Sequence, residues 1–142
     1  MKDVGYSLRK AYFNKLNGMV TVNSAIVPIY DNIPDTANYP YIQISNINVI
    51  DESTKSNFNS NCVVTVQAFT GTDATSYSKS DADNISNQVM QLLLNRSSLP
   101  NAAPDFKVIT NQLESSNYIE NLYQGFYEVV KIIRIRNIVE QL

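Results

Sequence analysis

The chain has 142 residues, a formal net charge of −2, one cysteine and no histidine. Such a length suffices for one ordinary domain that buries roughly 68–70% of its unfolded surface without metal or disulfide. The composition excludes an intramolecular disulfide framework, removes the commonest general base and transition-metal ligand, and offers no basic field for tight binding of nucleic acid.

From Asp3 to Leu16, Val4, Leu8, Ala11, Tyr12 and Leu16 recur at helical spacing, and Asn17-Gly18 supplies a stop. This predicts an amphipathic first helix. Met19 to Val22 reads as a short strand and Ile26 to Tyr30 as a clearer one, with Pro28 placing it at a sheet edge. The linker from Asp31 to Pro40 suits neither helix nor paired strand, and its prolines stiffen it. Tyr41 to Ile50 is strand-like but changes phase: Ile42 and Ile44 share one face, Ile47 and Val49 the other. A bulge near Ser45 and Asn46 is expected.

Asp51 to Asn61 is polar except for Phe58 and reads as a projecting loop or hairpin tip. Phe58 is either a local packing residue or an interface anchor. Cys62 to Phe69 is the strongest strand signal, with Val64, Val66 and Ala68 on one face and Val63, Thr65 and Phe69 on the other. Gly71 to Tyr77 reads as a loop. A second helix starts at Ser78 or Ser80, with Asp81 and Asp83 in its first turn, and runs to about Asn95; Ala82, Ile85, Val89, Leu92 and Leu93 form its core stripe. Ser97 to Pro104 is a connector. Phe106 to Ser115 and Gln124 to Ile138 then read as two strands joined around Asn117 to Tyr123.

In the last strand Val130 and Ile132 lie on one face, while Val129, Ile133 and Ile135 lie on the other. A strand apolar on both faces needs two covers, and two helices cover only one. The expected architecture is therefore a single α+β domain over residues 1–142: a mostly antiparallel four- to five-stranded sheet, both helices on one face, and long loops or a neighbouring subunit on the other.

The four glycines stand singly, so no phosphate-binding glycine motif can be written. The carboxylate pairs Asp31 and Asp35, Asp51 and Glu52, and Asp81 and Asp83 have sufficient roles in turns and at a helix N-terminus. Cys62, inside an apolar run and without a histidine, has nothing to activate it. No run reaches the roughly 18 apolar residues of a membrane span, and the N-terminus has no apolar signal core. The chain reads as a soluble, cofactor-free, non-enzymatic protein of a reducing cytoplasm. Charged residues make up 17% of it, against about 25% in an average domain. That fits either an exterior that meets other protein or a codon bias toward Asn, Ile and Lys. Arg134 and Arg136 alternate with Ile133 and Ile135 and form either a solvated strand face or a surface that meets a partner or passing DNA.

The segment Ile29 to Ile42, IYDNIPDTANYPYI, matches the form VYDxxPxxxxYPYI with isoleucine in place of the first valine, and a weaker match covers Ser80 to Leu94. With this order of elements the chain resembles the tail completion or tail terminator (head-tail joining) proteins of tailed bacteriophages. The resemblance implies a virion protein that forms a ring, six-fold by expectation, at the head-proximal end of the tail or in the neck. Such a ring ends growth of the tail tube, joins the tube protein to the head connector, and lets DNA pass without sequence specificity. Asp31, Asn32, Asp35, Tyr39, Asn57, Phe58 and Asn59 are then expected to face subunits or partners, and Arg134 and Arg136 the lumen. The competing expectation is a small monomeric binding or regulatory module, or a hydrolase relying on carboxylates alone.

Overall fold

The computed structural model describes residues 1–73 and 79–142. Helix α1 spans Gly5–Leu16. Asp3 opens it by accepting the Gly5 N–H at 2.9 Å, and the chain leaves it through Gly18, whose φ of 75° only glycine adopts without strain. Strands β1 (Thr21–Val22) and β2 (Ala25–Ile26) form a separate two-stranded ribbon, turned by Asn23 and Ser24 with φ of 51° and 66°. The run expected as one strand from Ile26 to Tyr30 is thus split at Pro28. Its second part, β3 (Ile29–Tyr30), pairs parallel with β4 (Tyr41–Asp51).

Strand β5 (Asn59–Asp73) is longer than expected at both ends. Its start shortens the polar loop, because Glu52 and Thr54 close a ladder with Asn59 and Asn57. Its end absorbs Gly71, which was expected in a loop; residues 74–77 of that loop and Ser78 lie outside the described residues. Helix α2 (Ser80–Leu93) has Lys79 rather than a serine at its cap, and Asp81 and Asp83 in its first turn. Strands β6 (Phe106–Tyr123) and β7 (Phe126–Gln141) form one long hairpin around Gly125, whose φ is 76°. Asn117 to Tyr123, expected as a junction, therefore continues the strand.

Among the described residues the main sheet runs β3-β4-β5-β7-β6, with the β3–β4 pair parallel and the others antiparallel. The expected bulge lies between Ile44 and Asn46, and two more interrupt β6 at Ile109 and Glu114. Both helices pack on one face. Leu8, Tyr12 and Leu16 of α1 and Ile85, Val89 and Leu93 of α2 join Ile42, Val64, Val66, Ile133 and Ile135 in one core. This is the expected α+β architecture.

Asn137 sits in that core with no exposure. The Tyr12 hydroxyl donates to its Oδ1 at 2.7 Å, and its Nδ2 donates to the carbonyls of Cys62 at 3.2 Å and Ile135 at 3.1 Å. Burial raises the Tyr12 hydroxyl far above its ordinary pKa, so it stays a proton donor. Asn111 has a similar task at the end of α2, giving its Nδ2 hydrogen to the Leu93 carbonyl at 2.8 Å. That contact satisfies one of the carbonyls a helix C-terminus leaves unpaired.

Candidate interaction surfaces

The face of the sheet away from the helices carries the even-numbered residues of β7 and the odd-numbered residues of β5. One end of it is covered by the chain's own linker. Tyr39 lies over it with ring centroids 5.3 Å from both Tyr41 and Phe126, and Tyr41 stacks on Phe69 at 4.9 Å. The Tyr39 hydroxyl donates to Glu128, and burial together with that carboxylate raises its pKa. Gly71 lies beneath: a Cβ built there would be 2.3 Å from Phe126 Cζ and 3.0 Å from Tyr39 Cδ2. Asp31, Asn32 and Asp35 stay exposed on the same linker, with Asp31 3.6 Å from Arg9 of α1.

Val130 and Ile132 are buried on this face as well, and among the described residues it opens beyond them, toward Arg134. A shallow depression of about 370 Å³ crosses it between Asn46, Asn48, Asn61, Thr65, Arg134 and Arg136. Arg134 is exposed, whereas Arg136 is half-buried and held by Glu114 at 2.7 Å, so only one of the two cations is unpaired among the described residues. Glu114 is the extra residue of a β6 bulge, which is what lets it reach back across the sheet.

Asn57, Phe58 and Asn59 stand at the other end of the sheet. Asn59 opposes Glu140, while Tyr39 sits near Phe126, so roughly 45 Å of strand separates the two groups of expected interface residues. The loop before them is locally tied. Asp51 accepts the Ser53 N–H at 2.9 Å and the Ser53 hydroxyl, which holds its carboxyl below the usual range, and Thr54 Oγ1 accepts the Asn57 N–H at 3.2 Å. Phe58 is left 47% exposed on this folded tip.

Two surfaces escaped sequence reasoning. The tip of the β6–β7 hairpin exposes Ile119, Leu122 and Tyr123, and the outer side of α1 exposes Tyr6 and Phe13 beside Arg9 and Lys10. The hairpin tip has a legible signal, since Tyr118 to Tyr123 is rich in strand-forming residues, but the polar run Glu114 to Asn117 before it reads as a strand end.

The N-terminus of α2 is tied to the same hairpin. Lys79 meets Glu120 at 2.7 Å, Tyr127 donates to Glu120 at 2.7 Å, and the buried Lys131 lies 3.8 Å from the centre of the Tyr118 ring and 3.9 Å from Asp83. The bonds to Lys79 and Tyr127 lower the Glu120 pKa, and the bond to Glu120 raises that of Lys79. A lowered carboxylate stabilises the fold above its ordinary value of 4.5 and loses that contribution as pH falls through the folded value. A raised ammonium stabilises below its ordinary 10.5 and loses the contribution as pH rises through the folded value. The tie is therefore complete between those limits. In a melting series the difference between the native protein and Glu120→Gln should shrink below pH 4.5 and also in about 1 M salt, which screens exposed pairs. A difference that ignores both would place the role of Glu120 in packing instead.

Among the described residues, no three His, Cys, Asp or Glu side chains come together as metal ligands, and no helix is long and apolar enough to cross a membrane. Cys62 is fully buried, and burial pushes its thiol up to about 11, which suppresses the thiolate.

These features define an α+β domain with two long hairpins and a half-open sheet that leaves apolar side chains exposed at several separate places. The chain belongs to the tail completion protein gp17 family, whose pattern it matches over residues 10–135. It is accordingly a bacteriophage tail completion protein by family and a structural component of the virion. Its fold is similar to that of a chain in the virion of a native gene transfer agent (GTA) particle, with a TM-score of 0.68, 15% sequence identity and 99% of each chain covered. No curated protein matches it.

Proposed function

We propose that this protein assembles in the host cytoplasm into a six-fold ring at the head-proximal end of the tail or in the neck, where it ends growth of the tail tube and docks the head connector. Membership of the tail completion family over residues 10–135 is the observation that carries this reading. The surfaces support it. Apolar side chains are exposed at the β6–β7 tip, at Phe58 and on the outer side of α1, so one copy offers several faces to different partners. A head-to-tail contact repeated around an axis closes into a ring, and no catalytic step is needed for that. Asp31, Asn32, Asp35 and Tyr39 would serve one end of the subunit and Asn57, Phe58 and Asn59 the other. The open face with Arg134 and Arg136 would line the lumen, where Glu114 already neutralises Arg136 and leaves little attraction for passing DNA.

Native mass spectrometry and negative-stain imaging of the purified protein, alone and with tail tubes, test this. Rings that cap tubes are expected; a chain that stays monomeric at high concentration and never binds a tube or connector sinks the reading in favour of a small binding module. Within the same experiment, Phe58→Ala should weaken assembly or docking and leave the melting temperature within a few degrees, because the side chain is already 47% exposed. An equal loss of monomer stability would assign Phe58 to the subunit itself.

A further inference from the structure

Two edges of the main sheet are left without a partner strand. Strand β6 lies at the end of the order β3-β4-β5-β7-β6, so the outer side of Phe106–Tyr123 is unpaired among the described residues. On the far side, β3 pairs with Ile42 and Gln43, and the stretch of β4 from Ser45 to Asp51 has no partner strand on its outer side among the described residues. Each such edge is a row of free N–H and C=O groups, which proteins ordinarily blunt with proline, charge or very short strands. Here neither strand contains a proline. The charges are sparse: Lys107 stands exposed at the very start of β6, and the others are engaged, Glu114 with Arg136, Glu120 with Lys79 and Asp51 with Ser53. Large apolar side chains stand exposed on both, with Ile109 at 46% and Leu113 at 43% on β6 and Ile50 at 52% on β4.

We propose that neighbouring copies join by strand addition, the outer edge of β6 in one copy pairing antiparallel with the uncovered edge of β4 in the next. The proposal rests on the ring reading above and names the contact that closes the ring. Direction is the first argument. Strands β4, β5, β7 and β6 are antiparallel in turn, so β6 runs opposite to β4. Two copies set side by side with the same face toward the axis therefore present oppositely directed edges. Level is the second. The ladder Asn48↔Val63↔Arg136↔Gln112 puts Asn48 of β4 and Gln112 of β6 on one rung and one face, and Ile50↔Asn61↔Ile138↔Thr110 does the same for Ile50 and Thr110. Without stagger, an exposed amide of one copy meets an exposed amide of the next, and Ile50 meets the methyl of Thr110. The contact is also heterologous, using a different edge on each side, which is what a closed ring requires. A two-fold β6-to-β6 contact would consume the long edge in dimers and leave β4 bare.

Paired cysteines test it, because Cys62 is buried and the new positions are exposed. A disulfide needs Cα atoms about 4.4–6.8 Å apart, so it reports strand opposition directly. Asn48→Cys would be combined in turn with Thr110→Cys, Gln112→Cys and Asn117→Cys, all on the same face, and with Leu113→Cys on the other. Under mild oxidation one of the same-face pairs should move most of the chain into a ladder of covalent oligomers ending at the ring size, while every single variant and the Leu113→Cys pair stay uncrosslinked. Covalent dimers from Gln112→Cys alone would overturn the proposal in favour of a two-fold contact. Rings seen by native mass spectrometry with no crosslink from any pair would overturn the strand pairing and leave the ring reading standing. Monomers under all conditions would overturn both.

Discussion

Replacing Asn137 by alanine should destabilise the protein by about 2–4 kcal/mol, as measured by denaturant titration, because the loss combines a cavity with an orphaned polar group. Asn137 has no exposure and serves three partners: the Tyr12 hydroxyl and the carbonyls of Cys62 and Ile135. Its removal strands a hydroxyl that cannot ionise in place, since burial has raised the Tyr12 pKa. Tyr12→Phe alone should cost roughly 1–3 kcal/mol by leaving Asn137 Oδ1 without its donor. The two sites share one bond, so the double variant Tyr12→Phe with Asn137→Ala should be less destabilised than the sum of the single losses, by about 0.5–3 kcal/mol. Strict additivity would mean that each side chain acts through packing alone. The bond joins α1 to β7, elements 125 residues apart in sequence, so its loss should also raise hydrogen exchange in α1.

Much of the architecture is legible in the sequence wherever one period runs unbroken. The stripes of α1 and α2, the alternation in β5 and the two-sided pattern of Val129 to Ile135 all correspond to faces that the structure buries. Legibility fails where a bulge shifts the phase. Ile109 and Glu114 each insert a residue into β6, so the run from Phe106 to Tyr123 loses its period-two signal although every residue from Ser115 onward has a partner on β7. Asn137 was detectable in principle: it follows Ile133 and Ile135 on a face that continues to Val139, and a polar residue in an apolar register must find partners.

The expected interface residues divide along the same line. Asp31, Asn32, Asp35, Asn57 and Phe58 are exposed, as composition alone suggests for turn segments. Tyr39 has an added task that no local signal reveals, because its partners Phe126 and Glu128 lie about 90 residues further along the chain. The covering of the open face is thus partly internal. The need for a second cover was legible from β7; that a tyrosine from the linker supplies one end of it, and that the Arg134 end stays open, required the fold.

Gly71→Ala gives the sharpest test of that internal cover. At an unstrained strand position this substitution ordinarily stabilises by about 0.4–1 kcal/mol, through the unfolded chain. Here the opposite sign is expected, with a loss of about 1–3 kcal/mol from overpacking. The added Cβ would lie 2.3 Å from Phe126 Cζ and 3.0 Å from Tyr39 Cδ2, so the Phe126 ring must swing away. Tyr39 packs on that ring and donates to Glu128, which stands opposite Gly71 on β7; displacing one therefore loosens the other. The linker from Asp31 to Pro40 should then become more open to proteolysis and faster in hydrogen exchange, while α1 and α2 keep their protection. Phe126→Leu should by itself cost stability by giving up the contact with Tyr39, yet combined with Gly71→Ala it should recover part of the loss, because a leucine leaves room for the new methyl group. Recovery in the double variant locates the strain in that one contact. Equal losses with either residue at position 126 would show that the backbone at Gly71, and not the aromatic cover, excludes a side chain.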